Sequence, residues 1–272
     1  MKHTITTIML GLCCALSYAQ EKDTVNADTT KRERKVTVEV TIGGSDNTGS
    51  ANEKSEKDKK KDESGKFTAG LTFARVDIGI SKYLDKGSFT LSPANEFLEF
   101  ENFKTHNVGF EFFQLGYRFS NNFKIYMGAG ADWNHIRLKK NITFKADQPT
   151  LTWFEDTVDF KKNRFSATYL RIPLSFQLRS NSDKKGNQFF FVAGPEIGFL
   201  INGKQKQKSE GRGKVKVRDD FNLNPFRYGA FARLGYDNWG VYAKYYLNDV
   251  FADKQGPTTD FKNISIGLTF GF

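Results

Sequence analysis

Cysteine is scarce in this sequence, and both copies, Cys13 and Cys14, lie near its start. The segment that holds them, MKHTITTIMLGLCCALSYAQ, has a basic beginning, an apolar stretch and a small-x-small motif ending at Ala19. This pattern is typical of a secretory signal peptide, so we expect residues 1–19 to be removed. The mature chain then has no cysteine, which excludes a disulfide framework and thiol chemistry.

Histidines and long apolar runs are equally few. Beyond its start the chain has no apolar run near the length of a helical membrane span, and its mean hydropathy is low. After the predicted cleavage only His106 and His135 remain. A metal site needs several converging ligands, so we expect no metal centre, and no motif indicates a cofactor.

Aromatic residues and glycine are abundant instead. The sequence holds 27 Phe, 10 Tyr and 24 Gly. This composition favours strands and tight turns over helices, so we expect an all-β protein.

Residues 20–65 are charged and almost free of apolar side chains, as in SDNTGSANEKSEKDKKKDESGK. Such a segment cannot bury enough surface to offset its ordering entropy, which predicts a disordered linker. One interruption, KVTVEVTIGG over residues 35–44, leaves two interpretations open. It is either a short strand that pairs elsewhere or a transiently ordered piece of the linker.

From residue 66 to residue 272 the pattern alternates with period two, which predicts strands. The apolar phase slips near Phe73, as a β-bulge would cause. Pro173 and Pro195 fall inside two segments, where proline removes a ladder donor and marks a bulge or a strand end. The eight predicted strands cover residues 67–80, 107–119, 123–138, 166–179, 188–201, 226–236, 239–247 and 265–272.

The connections between these strands alternate strictly between long and short. The short ones are typified by Ser120-Asn121-Asn122 and Asp237-Asn238, and the first of the long ones covers about residues 81–106. This arrangement is typical of outer-membrane barrels, which have short periplasmic turns and long external loops. A soluble lipocalin-type barrel has the same number of strands.

The polarity of the two strand faces favours the membrane barrel. One face is almost uninterruptedly apolar and ends in aromatics, as interfacial girdles require. The other combines glycines with charges of both signs, which we assign to a narrow lumen: Asp132, Arg171, Glu196, Arg227, Arg233 and Lys244. We therefore predict an eight-stranded antiparallel up-and-down transmembrane β-barrel over residues 66–272, with a disordered periplasmic N-terminal tether. The last strand is expected to close the ring against residues 67–80.

Four stretches carry a recognisable pattern: FFQLGYRFSNNFKIYMGAGADWNHIRL, TYLRIPLSFQLR, VRDDFNLNPFRYGAFARLGY and KNISIGLTFGF. They resemble the PorT-like outer-membrane β-barrel proteins of Bacteroidota over most of residues 67–272. The resemblance implies a Gram-negative outer membrane and insertion by the barrel-assembly machinery, with the terminal aromatics Phe270 and Phe272 as the assembly signal. Some members of that family take part in protein secretion, but the matching motifs belong to the framework and not to a catalytic site.

The stretch NGKQKQKSEGRGKVKVR, residues 202–218, is the most distinctive charged feature. An exposed loop of this charge could meet lipopolysaccharide phosphates or an acidic partner, or it could be a solvated hairpin extension. Nucleic acid is not an expected partner at a cell surface. The cations of this stretch are Lys204, Lys206, Lys208, Arg212, Lys214, Lys216 and Arg218.

Catalysis is not expected. His135 and Ser166 lie near the same ends of neighbouring strands, but a hydrolytic pair also needs an orienting carboxylate and an oxyanion site. Acids occur nearby, at Glu155, Asp156 and Asp159, without a motif. Eight strands leave an interior filled by side chains, so a wide channel is not expected.

The sequence therefore predicts a non-enzymatic binding or scaffolding role at the cell envelope. The alternatives are an accessory component of a secretion or envelope-assembly complex, a lipid-modifying enzyme and a small pore. Expected partners are outer-membrane lipids with lipopolysaccharide, the barrel-assembly machinery, and periplasmic or secretion-complex proteins.

Overall fold

A computed structural model describes residues 38–42, 66–256 and 260–271. The predicted signal peptide, most of the predicted linker and Phe272 lie outside the described residues. Within the described part, no helix is long and apolar enough to span a bilayer.

The described chain consists almost entirely of strands, joined by turns and one short 3-10 helix at Pro93–Leu98. The strands are β1 (Val38–Ile42), β2 (Lys66–Asp85), β3 (His106–Arg118), β4 (Phe123–Arg137), β5 (Ile142–Phe144), β6 (Trp153–Glu155), β7 (Lys162–Arg179), β8 (Phe189–Ser209), β9 (Gly213–Asp219), β10 (Phe226–Tyr236), β11 (Trp239–Tyr246) and β12 (Phe261–Gly271).

Eight of these strands form a closed antiparallel ring in the order β2-β12-β11-β10-β8-β7-β4-β3, and β3 pairs with β2 to complete it. Closure leaves no unpaired edge along the barrel wall, as a bilayer requires. The predicted all-β, eight-stranded antiparallel barrel is confirmed.

The last strand closes the ring against the first strand of the barrel, as expected, but further along it. β12 pairs with residues 75–85 of β2, from Gly271 opposite Arg75 to Phe261 opposite Asp85, so the pairing overlaps the expected residues 67–80 only over residues 75–80. The ladder between β2 and β3 shifts between Leu71 and Arg75, so the predicted irregularity near Phe73 is confirmed. Because β2 continues past the end of β12, its first residues pair instead in parallel with β1.

The connections define two ends of the barrel. At the turn end, short segments join β3 to β4, β7 to β8 and β10 to β11. At the other end, which we call the loop end, the long connections carry the 3-10 helix, the β5–β6 hairpin and β9. The predicted alternation of long and short connections is confirmed.

Two strands reach further toward the loop end than their apolar pattern predicts. β7 begins at Lys162 rather than at residue 166, and β8 continues to Ser209 rather than ending at residue 201. The alternation continues there with polar side chains, as in Lys-Gln-Lys-Gln-Lys, where an apolar search does not detect it. We call residues 162–168, residues 202–209 and β9 together the extension.

The prolines inside the barrel wall sit where pairing is interrupted. Pro173 pairs with Glu196 across β7 and β8, but the next paired residues are Phe176 and Ala193. Pro195 lies in this gap, so the missing N–H donors are accommodated without ending either strand.

The outward face of the barrel is an exposed apolar belt. Phe176, Leu178, Phe191, Val241 and Ile266 expose between 42% and 55% of their surface. The inward positions of the barrel strands hold buried polar side chains, such as Ser175, Arg233 and Ser265. This polarity is the inverse of a soluble barrel and fits a lipid-facing wall.

Buried apolar side chains fill the interior mainly at the loop end, and a smaller cluster of Tyr126, Val192 and Phe231 lies nearer the turn end. The larger cluster packs the loop end of the lumen. It includes Phe97, Phe221 and Phe251, together with Ile142 and Phe144 of the β5–β6 hairpin. The barrel is thus closed above by an apolar plug and lined below it by charged groups.

Candidate functional site

The six charges that the sequence assigns to the lumen all lie buried inside the barrel. Two further carboxylates, Asp77 on β2 and Glu111 on β3, join them. Sequence reasoning missed both, although each follows the inward phase of its strand. Among these eight buried groups, the four carboxylates balance the four cations.

The charges form one connected network. Arg171 binds Asp77 at 2.9 Å and Glu111 at 2.8 Å, and Arg233 bridges the same two carboxylates at 2.9 and 3.1 Å. Lys244 lies 3.0 Å from both Asp77 and Asp132. Paired charges of this kind are stable in a low-dielectric interior because each has several partners.

Aromatic rings and close backbone packing fill the space around this network. The guanidinium of Arg227 binds Asp132 at 2.6 Å and lies between the rings of Tyr169 and Tyr246, 3.9 and 4.1 Å from their centroids. On β4, a Cβ at Gly130 would lie 2.1 Å from the Phe110 carbonyl oxygen, so only glycine fits there. A cavity of about 30 Å³ remains near Arg227, which has room for water but not for a ligand.

Of the two interpretations of the basic stretch, the structure shows the hairpin extension, because residues 203–209 and 213–219 are paired strands. β8 and β9 run antiparallel from Gly203 opposite Asp219 to Ser209 opposite Gly213. Six of the seven predicted cations lie on one face of this pair, and Arg212 in the turn binds Asp156 at 2.8 Å instead.

Two cations of β7 complete this surface, and sequence reasoning missed both because it began the strand at residue 166. Arg164 lies opposite Lys206, which lies opposite Lys216. Lys162, Lys208 and Lys214 form a parallel row across the same three strands. We call the whole set the cationic face: Lys162, Arg164, Lys204, Lys206, Lys208, Lys214, Lys216 and Arg218.

A β-bulge determines the direction in which the cationic face points. Thr168 pairs with Asn202 and Tyr169 with Leu200, so Ile201 is an extra residue in β8. The bulge reverses the side-chain phase of β8, since a shift of one residue exchanges the two faces of a strand. Beyond it the lysines continue the outward face, while Gln205 turns inward and is 1% exposed.

Buried amides fix the inner face of the extension. Asn163 and Gln205 both donate to the Ile142 carbonyl oxygen, at 2.8 and 3.0 Å. Gln205 also accepts a hydrogen bond from the Phe144 amide at 2.9 Å. Because the β5–β6 hairpin is held in this way, the cationic face is presented by a rigid sheet.

Like charges stand directly opposite each other on this face, which destabilises a sheet unless a counter-charge is supplied. The pKa of Lys206 is held below its usual range, chiefly by the nearby charge of Lys214. The neighbouring acids bind other cations: Glu210 pairs with Lys161, and Asp156 with Arg212. Across residues 66–256 and 260–271, no carboxylate forms an ion pair with any member of the cationic face.

The structure brings His135 and Ser166 together but surrounds them with positive charge. His135 Nδ1 lies 2.8 Å from Ser166 Oγ. The charged side chains that influence His135 electrostatically are cations, of which Arg164 has the largest effect and Lys204 is another. The three acids named from sequence lie elsewhere. Glu155 lies on β6 opposite Ile142 of β5, Asp156 binds Arg212, and Asp159 accepts a hydrogen bond from Asn141.

The comparison with known protein families agrees with this architecture. A family model described as an outer membrane protein beta-barrel domain matches residues 18–252. The chain belongs to this family. The outer-membrane β-barrel protein is therefore located in the outer membrane of a Gram-negative bacterium, and its apolar belt faces lipid.

Among solved structures, this outer-membrane β-barrel protein is similar to Ail, the attachment invasion locus protein of Yersinia pestis, solved in complex with the heparin analogue sucrose octasulfate. The two chains are 14% identical, the match covers 73% of this chain and 96% of that chain, and the TM-score is 0.28. No curated protein matches this sequence.

Proposed function

We propose that this protein binds anionic groups at the cell envelope through its cationic face and catalyses no reaction. The observation that carries the proposal is a rigid sheet with eight cations on one face and no ion-pair partner for any of them among the described residues. An anion would relieve the repulsion between the paired lysines, since lysine and arginine form strong charge-assisted hydrogen bonds with phosphate.

The sidedness of the barrel is part of the proposal. The loop end faces the cell exterior and the segment before β2 lies in the periplasm, as short periplasmic turns and long external loops are typical of outer-membrane barrels. We also keep the assignment to PorT-like barrels as a proposal, supported by the four stretches that resemble that family. Phe270 packs edge-on against Trp239 at 4.6 Å, in accord with a role for the terminal aromatics in assembly.

The surroundings of His135 do not fit a hydrolytic site. A base that activates serine needs an orienting carboxylate, whereas cations act on this imidazole.

Soluble polyphosphate tests the proposal. The detergent-solubilised protein is titrated with it at low and at physiological salt. We expect salt-sensitive binding that weakens at least about 10-fold when Lys206→Glu and Lys216→Glu are combined, since exposed charges are screened by salt.

The matched control combines Lys184→Glu and Lys185→Glu in the exposed β7–β8 turn at the opposite end. This variant makes the same change in net charge and is expected to bind polyphosphate like the parent protein. Binding that is absent, or that falls equally in both variants, would contradict the proposal.

A further inference from the structure

A single row of polar side chains crosses five strands at the base of the cationic face. The ladders place His106 opposite His135, His135 opposite Ser166, Ser166 opposite Lys204, and Lys204 opposite Arg218. The two histidine rings are 4.8 Å apart. We call these five residues the base row.

The base row begins where the apolar belt ends. On β4 the outward position before His135 is Trp133, and on β8 the bulged Ile201, 61% exposed, precedes Lys204. A strand rises about 3.3 Å per residue and tilts about 40° in an outer-membrane barrel, so Lys204 lies about 8 Å above Ile201 along the bilayer normal. A headgroup layer is about 5 to 7.5 Å thick.

The side chains of the cationic face point outward from the barrel wall, parallel to the membrane plane, rather than along the membrane normal. Thr168, Ser166 and Arg164 continue the outward phase of Leu170 and Ile172 on β7. A molecule bound there lies against the outside of the barrel wall, with the apolar belt directly below it. This is the position of a lipid of the outer leaflet.

One polar atom of the face is also left without a partner. The Nε of Arg164 is shielded from solvent and makes no hydrogen bond within the described structure. It lies next to Ser166 and opposite Lys206, at the centre of the surface. An anionic oxygen would complete its hydrogen bonding.

We infer that the base row and the cationic face above it seat the phosphate groups of one lipopolysaccharide molecule against β3, β4, β7, β8 and β9. Its acyl chains would lie along the apolar columns below, on residues such as Trp133, Leu170 and Phe199. This inference rests on the proposed anion binding and narrows the anion to a membrane lipid.

The test compares three probes on the detergent-solubilised protein: bisphosphorylated lipid A, lipid A without phosphates, and soluble polyphosphate. We expect bisphosphorylated lipid A to bind at least about 10-fold more tightly than the dephosphorylated form. Combining Lys204→Gln and Arg218→Gln in the base row should weaken lipid A binding about 30-fold, the loss expected for two basic residues beside a lipid surface.

The control combines Lys184→Gln and Lys185→Gln, and a heat-modifiable gel shift checks that each variant is folded. The inference is wrong, and the proposed function stands, if polyphosphate binding depends on the cationic face while lipid A binds alike with and without phosphates or in both variants. If neither anionic probe binds, both fail. If lipid A is recovered with acyl chains removed, the base row is a hydrolytic site and the inference is wrong.

Discussion

At the scale of single residues, the barrel combines buried charges that form ion pairs with exposed charges that do not. Arg171 is 0% exposed and contacts two carboxylates within 3 Å, whereas Lys206 faces other cations. The buried network stabilises the wall from inside. The unpaired face instead costs stability, which indicates that it is kept for binding.

Replacing Arg171 with Met should therefore be strongly destabilising, because Asp77 and Glu111 would lose a buried partner. We expect the free energy of unfolding in urea, measured in vesicles, to fall by about 3 kcal/mol or more. The matched change Lys139→Met removes an exposed ion pair with Glu99 and should cost less than about 1 kcal/mol. Equal losses in the two variants would show that the lumen network contributes little.

At the scale of elements, the bulge at Ile201 separates two uses of β8. Below it the outward face meets lipid through Phe191 and Phe199; above it the outward face carries lysines. Without the extra residue, Lys204 and Lys206 would point at the β5–β6 hairpin, and Gln205 would point outward.

Deletion of Ile201 should accordingly disorder the extension and leave the barrel intact. Trypsin is expected to cut within residues 202–218 of the deletion variant, while the heat-modifiable shift of the barrel persists. Deletion of Gly211, in the exposed turn between β8 and β9, should leave the extension resistant. A resistant Ile201 deletion would mean that the bulge does not set the phase.

Sequence predicted the barrel well because lipid-facing strands carry a strong apolar alternation, as Leu170 to Leu178 do on β7. It missed the extension because Lys162 and Arg164 continue the same alternation without apolar residues. It missed Asp77 because the phase of the first strand slips at the bulge near Phe73. The bulge at Ile201 carries no local sequence signal, since tertiary pairing alone reveals it.

At the scale of the whole molecule, the lumen is obstructed twice. The balanced ion network fills its middle, and the apolar plug that contains Phe97 and Phe144 packs its loop end. Ions crossing the barrel would have to break paired charges and pass through an apolar cluster, both of which are costly.

Planar bilayers that contain the purified protein should therefore show no conductance steps above the leak of protein-free membranes. Boiled protein provides the control for detergent and contaminants. Reproducible unitary steps would contradict a closed lumen and would favour the small pore among the alternatives.

The position of β9 at an edge also bears on whether copies of this protein associate with one another in a crowded membrane. In the described structure it pairs only with β8, so its other edge presents free backbone donors and acceptors to any passing strand. Edge lysines are a common protection against such pairing. Lys214, Lys216 and Arg218 therefore also keep neighbouring copies from joining edge to edge, and neutralising all three would favour self-association.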